Sequence, residues 1–277
     1  MNKAEEILDY LRGTSYPYYN NVEGYYKTDR ENSFFNALLH SMTIDDLQQM
    51  MQLMEGDGHP YILYLKIKGI IKSKKREQMK VIPTLSLLDW YRDKNRKYRS
   101  IASAELMKRY SQEGLDTKRA ILEAFINGGV KEMEWAGRHL RDAWTESFEE
   151  VVKRRWEQTQ NKVLGYVILR HFNESYIMAH QEELESNVGY ANVCARVGAD
   201  SSFKIDSSRL SIPDQFYVAA KLDLPVKSEN MEILLNRFLA APYVDPDDFG
   251  LICWALGKLH MTYVLMRCGQ KIIKNTK

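Results

Sequence analysis

The chain has 277 residues, 44% hydrophobic and 27% charged, with a formal net charge of +2. That is enough sequence for a sizeable core, and the balance excludes wholesale disorder and any global charge bias toward nucleic acid or membrane. Three cysteines, Cys194, Cys253 and Cys268, without CxxC spacing, speak against a disulfide framework or a cysteine-rich zinc site and for a reducing compartment.

The opening MNKAEEILDYLRG carries three acids and no apolar core of signal-peptide length. No secretory signal is expected, and the cytoplasm is the default localisation. Lys3–Leu11 reads as a short helix with Ile7, Leu8 and Leu11 on one face. Tyr16–Tyr26 holds five tyrosines, either an aromatic cap on the core or a recognition surface. Asn32–Met42 and Ile44–Met54 form a helical pair, with Thr43 as N-cap of the second and Asp45 and Asp46 in its first turn. Glu55–Gly58 is a turn.

The run YILYLKIKGIIK has two readings. Leu63, Leu65 and Ile67 alternate as in a strand, whereas Ile62, Leu65 and Gly69 share a helical face. A lone strand makes no sheet, so helix is expected. Lys72–Arg76 follows as a basic turn. Pro83 then opens a helix through Leu85, Leu88 and Tyr91, and Ile101–Tyr110 forms another.

Lys118–Trp156 is the clearest helical hairpin. Ile121, Leu122 and Phe125 mark the first helix, which Gly128-Gly129 is expected to end through a left-handed glycine. Val130, Met133, Ala136, Gly137, Leu140, Trp144, Phe148, Val151 and Val152 step by three and four, predicting one continuous second helix. Its other face carries Glu134, Arg138, Arg141 and Asp142, with Glu134 and Arg138 placed to pair.

Val163–Phe172 and Glu174–Leu184 are predicted as a further pair, followed by a short helix over Gly189–Val197. Residues 198–213, rich in serine, read as a linker or insertion. Pro213–Leu222 and Met231–Leu239 form another pair. Asp245 or Asp247 is expected to cap a long terminal helix. Its apolar stretch Phe249–Met266 is interrupted by Lys258 and His260, against a membrane span. The expected organisation is an N-terminal helical region over 1–80, a repeat core over 81–197, the 198–213 linker, and C-terminal repeats over 214–277, together one continuous domain.

First-helix anchors fall at Leu87, Ile121, Val163, Tyr217 and Leu251, spaced 34, 42, 54 and 34 residues apart. Helical-hairpin repeats recur every 33 to 47 residues or so. On this pattern the chain resembles the HEAT/armadillo class, most clearly over Leu85–Leu184. The resemblance implies an all-α fold, an irregular superhelix or solenoid of stacked hairpins, whose usual work is protein binding.

Chemistry is sparse. No HExxH, P-loop, GxGxxG or GxSxG motif is present, and no metal or cofactor is expected. His171 and Glu174 lie one helical turn apart but lack a second such pair. The regional anomaly is charge: Lys66–Arg119 holds 16 Lys/Arg against 6 Asp/Glu, interleaved with Trp90, Tyr91, Tyr98 and Tyr110. Candidate binding residues are Lys72, Lys74, Lys75, Arg76, Arg92, Arg96, Lys97 and Arg99, extended by Arg138 and Arg141. The expected function is a binding or scaffold module for a protein partner. Nucleic acid is the alternative, since such a patch neutralises phosphates and stacks bases. Some HEAT-like proteins are alkyl-DNA glycosylases that use tryptophans and a carboxylate. Trp135, Arg138, Arg141, Asp142 and Trp144 offer those residue types, without a motif that matches by position. A homodimer through the apolar terminal helix is a further possibility.

Overall fold

Long runs of strong helix formers between short breaks leave the chain little choice but helix. The computed structural model describes residues 4–8, 36–54, 61–200 and 203–275, and no strand occurs among them. Nor is any described helix long and apolar enough to cross a membrane. The tyrosine-rich 16–26 stretch and the turn expected at 55–58 lie outside the described residues. The chain divides into two compact units, Met1–Ile121 and Leu122–Lys277.

In the first unit, residues 4–8 (α1) and 36–41 (α2) are helical. Next come α3 (Ile44–Met54), α4 (Tyr61–Val81), α5 (Thr84–Arg92) and α6 (Arg99–Arg109). Thr43 caps α3 as expected, its Oγ1 accepting from Asp46 N at 3.1 Å while Asp46 Oδ2 accepts from Thr43 N at 3.1 Å. This reciprocal pair satisfies two donors the helix leaves orphaned. Helix α4 buries Leu63, Ile67, Ile70 and Ile71, a face stepping by four, three and one. They join Leu47, Met50 and Met54 of α3 and Leu39 and Met42 in one core. Burial of each such side chain contributes about 1.5–3 kcal/mol.

Two expectations fail on α4. Leu65 and Gly69, placed inward by the sequence, are exposed; the helix is real but its face is turned. Lys72–Arg76 is no turn but the middle of α4. Lysine, arginine, glutamine and methionine all favour helix, and no glycine or proline interrupts them before Pro83.

The boundary between the units falls within α7 (Leu115–Ile126), and the second unit contains the last residues of that helix, then α8 (Val130–His139), α9 (Glu149–Thr159) and α10 (Lys162–His171). After these come α11 (Glu174–Ala179), α12 (Gln181–Val188), α13 (Tyr190–Val197), α14 (Ile212–Lys221), α15 (Ser228–Leu239), α16 (Pro246–Lys258) and α17 (Thr262–Asn275). The principal packing pairs join helices close in chain order. Helix α10 lies on α8, α9, α12 and α13, α13 on α14, α14 on α15 and α16, and α17 on α15 and α16.

The apolar stripe expected over 130–152 is buried at Met133, Ala136, Leu140, Phe148, Val151 and Val152, but its first member Val130 is exposed and the helix beneath it is not continuous. Leu140–Asp142 and Glu146–Phe148 are single 3-10 turns. Thr145 is extended at φ −144° and its hydroxyl bonds Ser147 Oγ at 2.7 Å. The extended Thr145 backbone between the two 3-10 turns separates α8 from α9. Gly129 is extended at φ −72°, ψ 170° and caps α8; among the described residues only Gly189 is a positive-φ glycine. No left-handed glycine therefore stops α7, whose end is closed by Asn127 N donating to Glu123 O at 3.3 Å and Gly128 N to Phe125 O at 2.9 Å.

The helix expected over Glu174–Leu184 breaks at His180, and the long terminal helix breaks at His260, which adopts φ 56°. There Met261 N donates to Leu256 O at 2.8 Å and His260 N to Gly257 O at 3.3 Å. This closing motif satisfies the last carbonyls of α16. Asp245 caps the other end of α16, its Oδ1 accepting from Asp247 N at 2.8 Å and Asp248 N at 3.3 Å. Within residues 198–213, Phe203 and Leu210 are buried.

One device recurs in both units. Arg109 on α6 donates to Met79 O at 2.7 Å and Ile82 O at 2.6 Å, beside the end of α4. Arg155 on α9 donates to Ile126 O at 3.0 Å and Gly128 O at 3.1 Å, beside the end of α7. Arg196 on α13 donates to Leu169 O at 2.9 Å and Phe172 O at 3.2 Å, beside the end of α10. Each guanidinium fork thus spans two carbonyls at or just beyond a helix terminus, where intrahelical donors run out.

Candidate functional site

The first unit holds a cleft of about 430 Å³. Gln48, Met51 and Gln52 line it from α3, Lys68, Ile71 and Lys72 from α4, and Lys97, Tyr98, Ser100 and Ile101 from the start of α6. Met51, Ile71 and Ile101 give it apolar walls; Lys68, Lys72 and Lys97 are exposed at its edge. Lys68 and Lys72 lie four residues apart on α4 and so share a face.

Tyr98 holds the corner where the loop enters α6. It adopts φ 66°, ψ 20°, a left-handed conformation uncommon for a bulky residue. Its hydroxyl accepts from Gln48 Nε2 at 3.2 Å, and its carbonyl accepts from Ile101 N at 2.9 Å and Ala102 N at 3.2 Å. Lys75 Nζ sits 5.5 Å from its ring centroid. Tyr98 makes no side-chain cap on α6. The cleft therefore combines cations with the positive end of a helix dipole, a setting that favours negative charge.

The predicted basic residues separate into groups. Lys72 and Lys97 line the cleft, and Lys75 flanks it through Tyr98. Lys74 Nζ instead donates to His40 O. Arg76 is exposed on α4. On the α5–α6 hairpin, Arg92 pairs with Asp89 at 3.5 Å and Arg96 lies 4.3 Å from the Trp90 ring centroid. Arg99 donates to Tyr91 O at 2.7 Å and lies 4.9 Å from that ring. In the second unit Arg138 pairs with Glu134 at 3.4 Å, as their spacing predicted, and Arg141 is exposed. Lys68 was missed as a candidate because it sits in an apolar run; its four-residue spacing from Lys72 was the available signal.

The second unit gathers aromatic and histidine rings. Trp135 stacks on His139 at 4.0 Å, and Trp144 on His171 at 4.2 Å. Burial, then the neighbouring Arg170 charge, holds the His171 pKa below its ordinary value. Phe172, Tyr176 and His180 continue the row. The Tyr176 hydroxyl is buried without a hydrogen-bond partner. Burial pushes this phenol up to about 12, with Glu157, Glu183 and Glu150 adding to the effect. Among the described residues no group of three His, Cys, Asp or Glu side chains is placed to hold a metal.

Tyr176→Phe is expected to stabilise the second unit by about 1 kcal/mol near neutral pH, since it removes an unsatisfied buried hydroxyl. A native pKa above the unfolded value near 10 means that stability present below pH 10 is lost as pH rises toward 12. Phenylalanine abolishes that part of the loss. Urea unfolding of both proteins from pH 8 to about 11.5 checks both points; equal slopes with pH would refute the second.

No known family model, curated protein or solved structure matches the chain.

Proposed function

We propose that the chain is a HEAT/armadillo-like helical-repeat binding module, acting by equilibrium binding, that holds an acidic segment of a protein partner in the cleft bounded by α3, α4 and the start of α6. The observation that carries this reading is the convergence of Lys68, Lys72 and Lys97 on walls made by Met51, Ile71 and Ile101. Lysines around an apolar pocket suit a peptide with an apolar anchor flanked by carboxylates. The volume is at the small end for ligand sites and holds one or two side chains. The repeat part of the proposal draws support from the recurrent arginine clamp. Its donors follow their acceptors by 24 to 30 residues in all three cases. Packing between helices close in chain order also supports it, as stacked repeats require.

The test is fluorescence anisotropy with a labelled glutamate-rich peptide carrying one leucine or phenylalanine. Lys72→Glu combined with Lys97→Glu is expected to weaken binding about tenfold or more, because each reversal turns attraction into repulsion. Removing the apolar anchor is expected to weaken it as well. Failure of the peptide to bind, together with retention on duplex DNA that falls steeply with salt, would favour the nucleic-acid alternative.

A further inference from the structure

Three helices of the second unit repeat a pattern independent of the first-unit cleft. Helices α10, α14 and α16 each carry an aromatic residue four positions before a cation in their last turn. The pairs are Tyr166 with Arg170, Tyr217 with Lys221, and Trp254 with Lys258. Spacing of four puts each ring and its cation on one helix face. Tyr166 is 41% exposed and Trp254 39%, while all three cations are exposed.

The faces meet. The Tyr217 and Trp254 ring centroids lie 6.0 Å apart, and Lys221 Nζ reaches over both, at 5.7 and 5.5 Å. Tyr217 donates its hydroxyl to Asn192 Oδ1 of α13 at 3.3 Å. Helix α10, which carries Tyr166, packs on α13, and α13 packs on α14. Lys162 Nζ lies 6.0 Å from the Tyr166 ring. The acids of these helices, Asp214, Asp247 and Asp248, occupy first turns, at the opposite ends from the cations. The helix dipole accounts for cations at C-terminal ends. It does not account for the exposed Tyr166 and Trp254 rings one turn inside them.

We propose that this face is a track for single-stranded nucleic acid, with bases stacking on Tyr166, Tyr217 and Trp254 and phosphates held by Arg170, Lys221 and Lys258. Flat rings alternating with cations match bases alternating with phosphates. A duplex keeps its base faces stacked inside and offers only the phosphates. An acidic peptide uses the cations but has no planar groups for three rings.

The test uses the full chain and a fluorescein-labelled oligothymidylate of about 12 nucleotides, within the usual site-size range, at low salt. Saturable binding is expected. Trp254→Ala and Tyr166→Ala should each weaken it roughly tenfold, the loss of one stacked base. Lys221→Glu with Lys258→Glu, which leaves the core untouched, should weaken it further and flatten its salt dependence. Circular dichroism confirms that each variant is folded. Absence of saturable binding overturns the proposal, as does equal affinity for a duplex of the same length. So does folded Trp254→Ala protein that binds unchanged, or a loss confined to Lys68→Glu with Lys72→Glu, which would move the site to the first-unit cleft. A polyglutamate peptide that binds this face as tightly as the oligonucleotide would reassign it to an acidic protein partner.

Discussion

Replacing Trp156 by alanine is expected to destabilise the second unit by about 3–5 kcal/mol, the range for removing a large buried aromatic. Trp156 is 1% exposed, on the buried side of α9. Its indole Nε1 donates to Asn187 Oδ1 at 3.4 Å, and the ring meets His180 edge-on at 6.2 Å. Asn187 in turn donates through Nδ2 to Gln160 O, beyond the end of α9. Gln160 itself is left-handed at φ 47°, its N–H bonded to Trp156 O at 2.7 Å. One side chain thus fills the core and anchors the residue that closes its own helix. The surroundings have little room to collapse into the void, because α10 already approaches closely at Gly165. A Cβ there would clash with Asn187 Oδ1 and Val188 Cγ1.

Trp156→Phe separates the two contributions. It keeps most of the apolar volume and loses the Asn187 bond, for an expected cost of about 1–2 kcal/mol. Urea unfolding followed by far-ultraviolet circular dichroism measures both variants. Losses of similar size for phenylalanine and alanine would mean that the hydrogen bond, not the volume, dominates.

Much of the fold was legible because its signals are local. Thr43 before Asp45 and Asp46, Pro83, Asp245 and the three-and-four stepping of Met133, Ala136 and Leu140 each announce a helix start or face within a few residues. The errors arose where two local preferences compete. Apolar periodicity from Met133 to Val152 is correct for burial, although Val130 is exposed, and it does not report that the backbone turns extended at Thr145 and interrupts the helix. Likewise the cluster Lys72–Arg76 reads as a basic turn, although its lysines and arginine are good helix formers. His260 gave no warning of a left-handed turn, since histidine carries no turn signature comparable to glycine.

The site was less legible. The charge excess of the basic region was visible, but a count does not say which cations converge. Of the lysines and arginines picked out, Lys72 and Lys97 line the cleft, while Arg92, Arg96 and Arg99 are held by Asp89, Trp90 and Tyr91. That difference is set by how α6 packs on α4 and α5, which no short motif encodes. The clamp arginines were hidden for a similar reason. Arg109, Arg155 and Arg196 have dissimilar neighbours, and their acceptors are carbonyls, which every residue possesses.

Arg155→Ala is expected to cost about 2–3 kcal/mol, because it leaves two helix-end carbonyls without their charged donor. The neighbouring Arg154 supplies the control. It is exposed and donates to the Asn127 side chain at 2.8 Å; Arg154→Ala should stay within about 0.5 kcal/mol of the parent. Arg155→Lys should recover only part of the loss, since one ammonium on a flexible stem cannot reproduce a fork that reaches Ile126 O and Gly128 O together. Urea unfolding ranks the three variants, and amide hydrogen exchange localises the effect. Protection should fall first in the last turn of α7, whose carbonyls have lost their donor, while α14 to α16 keep theirs. Equal stability of the Arg154 and Arg155 variants would mean that the carbonyls find water at no cost. The recurrence at Arg109 and Arg196 would then reflect helix-pair geometry alone, without a stabilising role for the clamp.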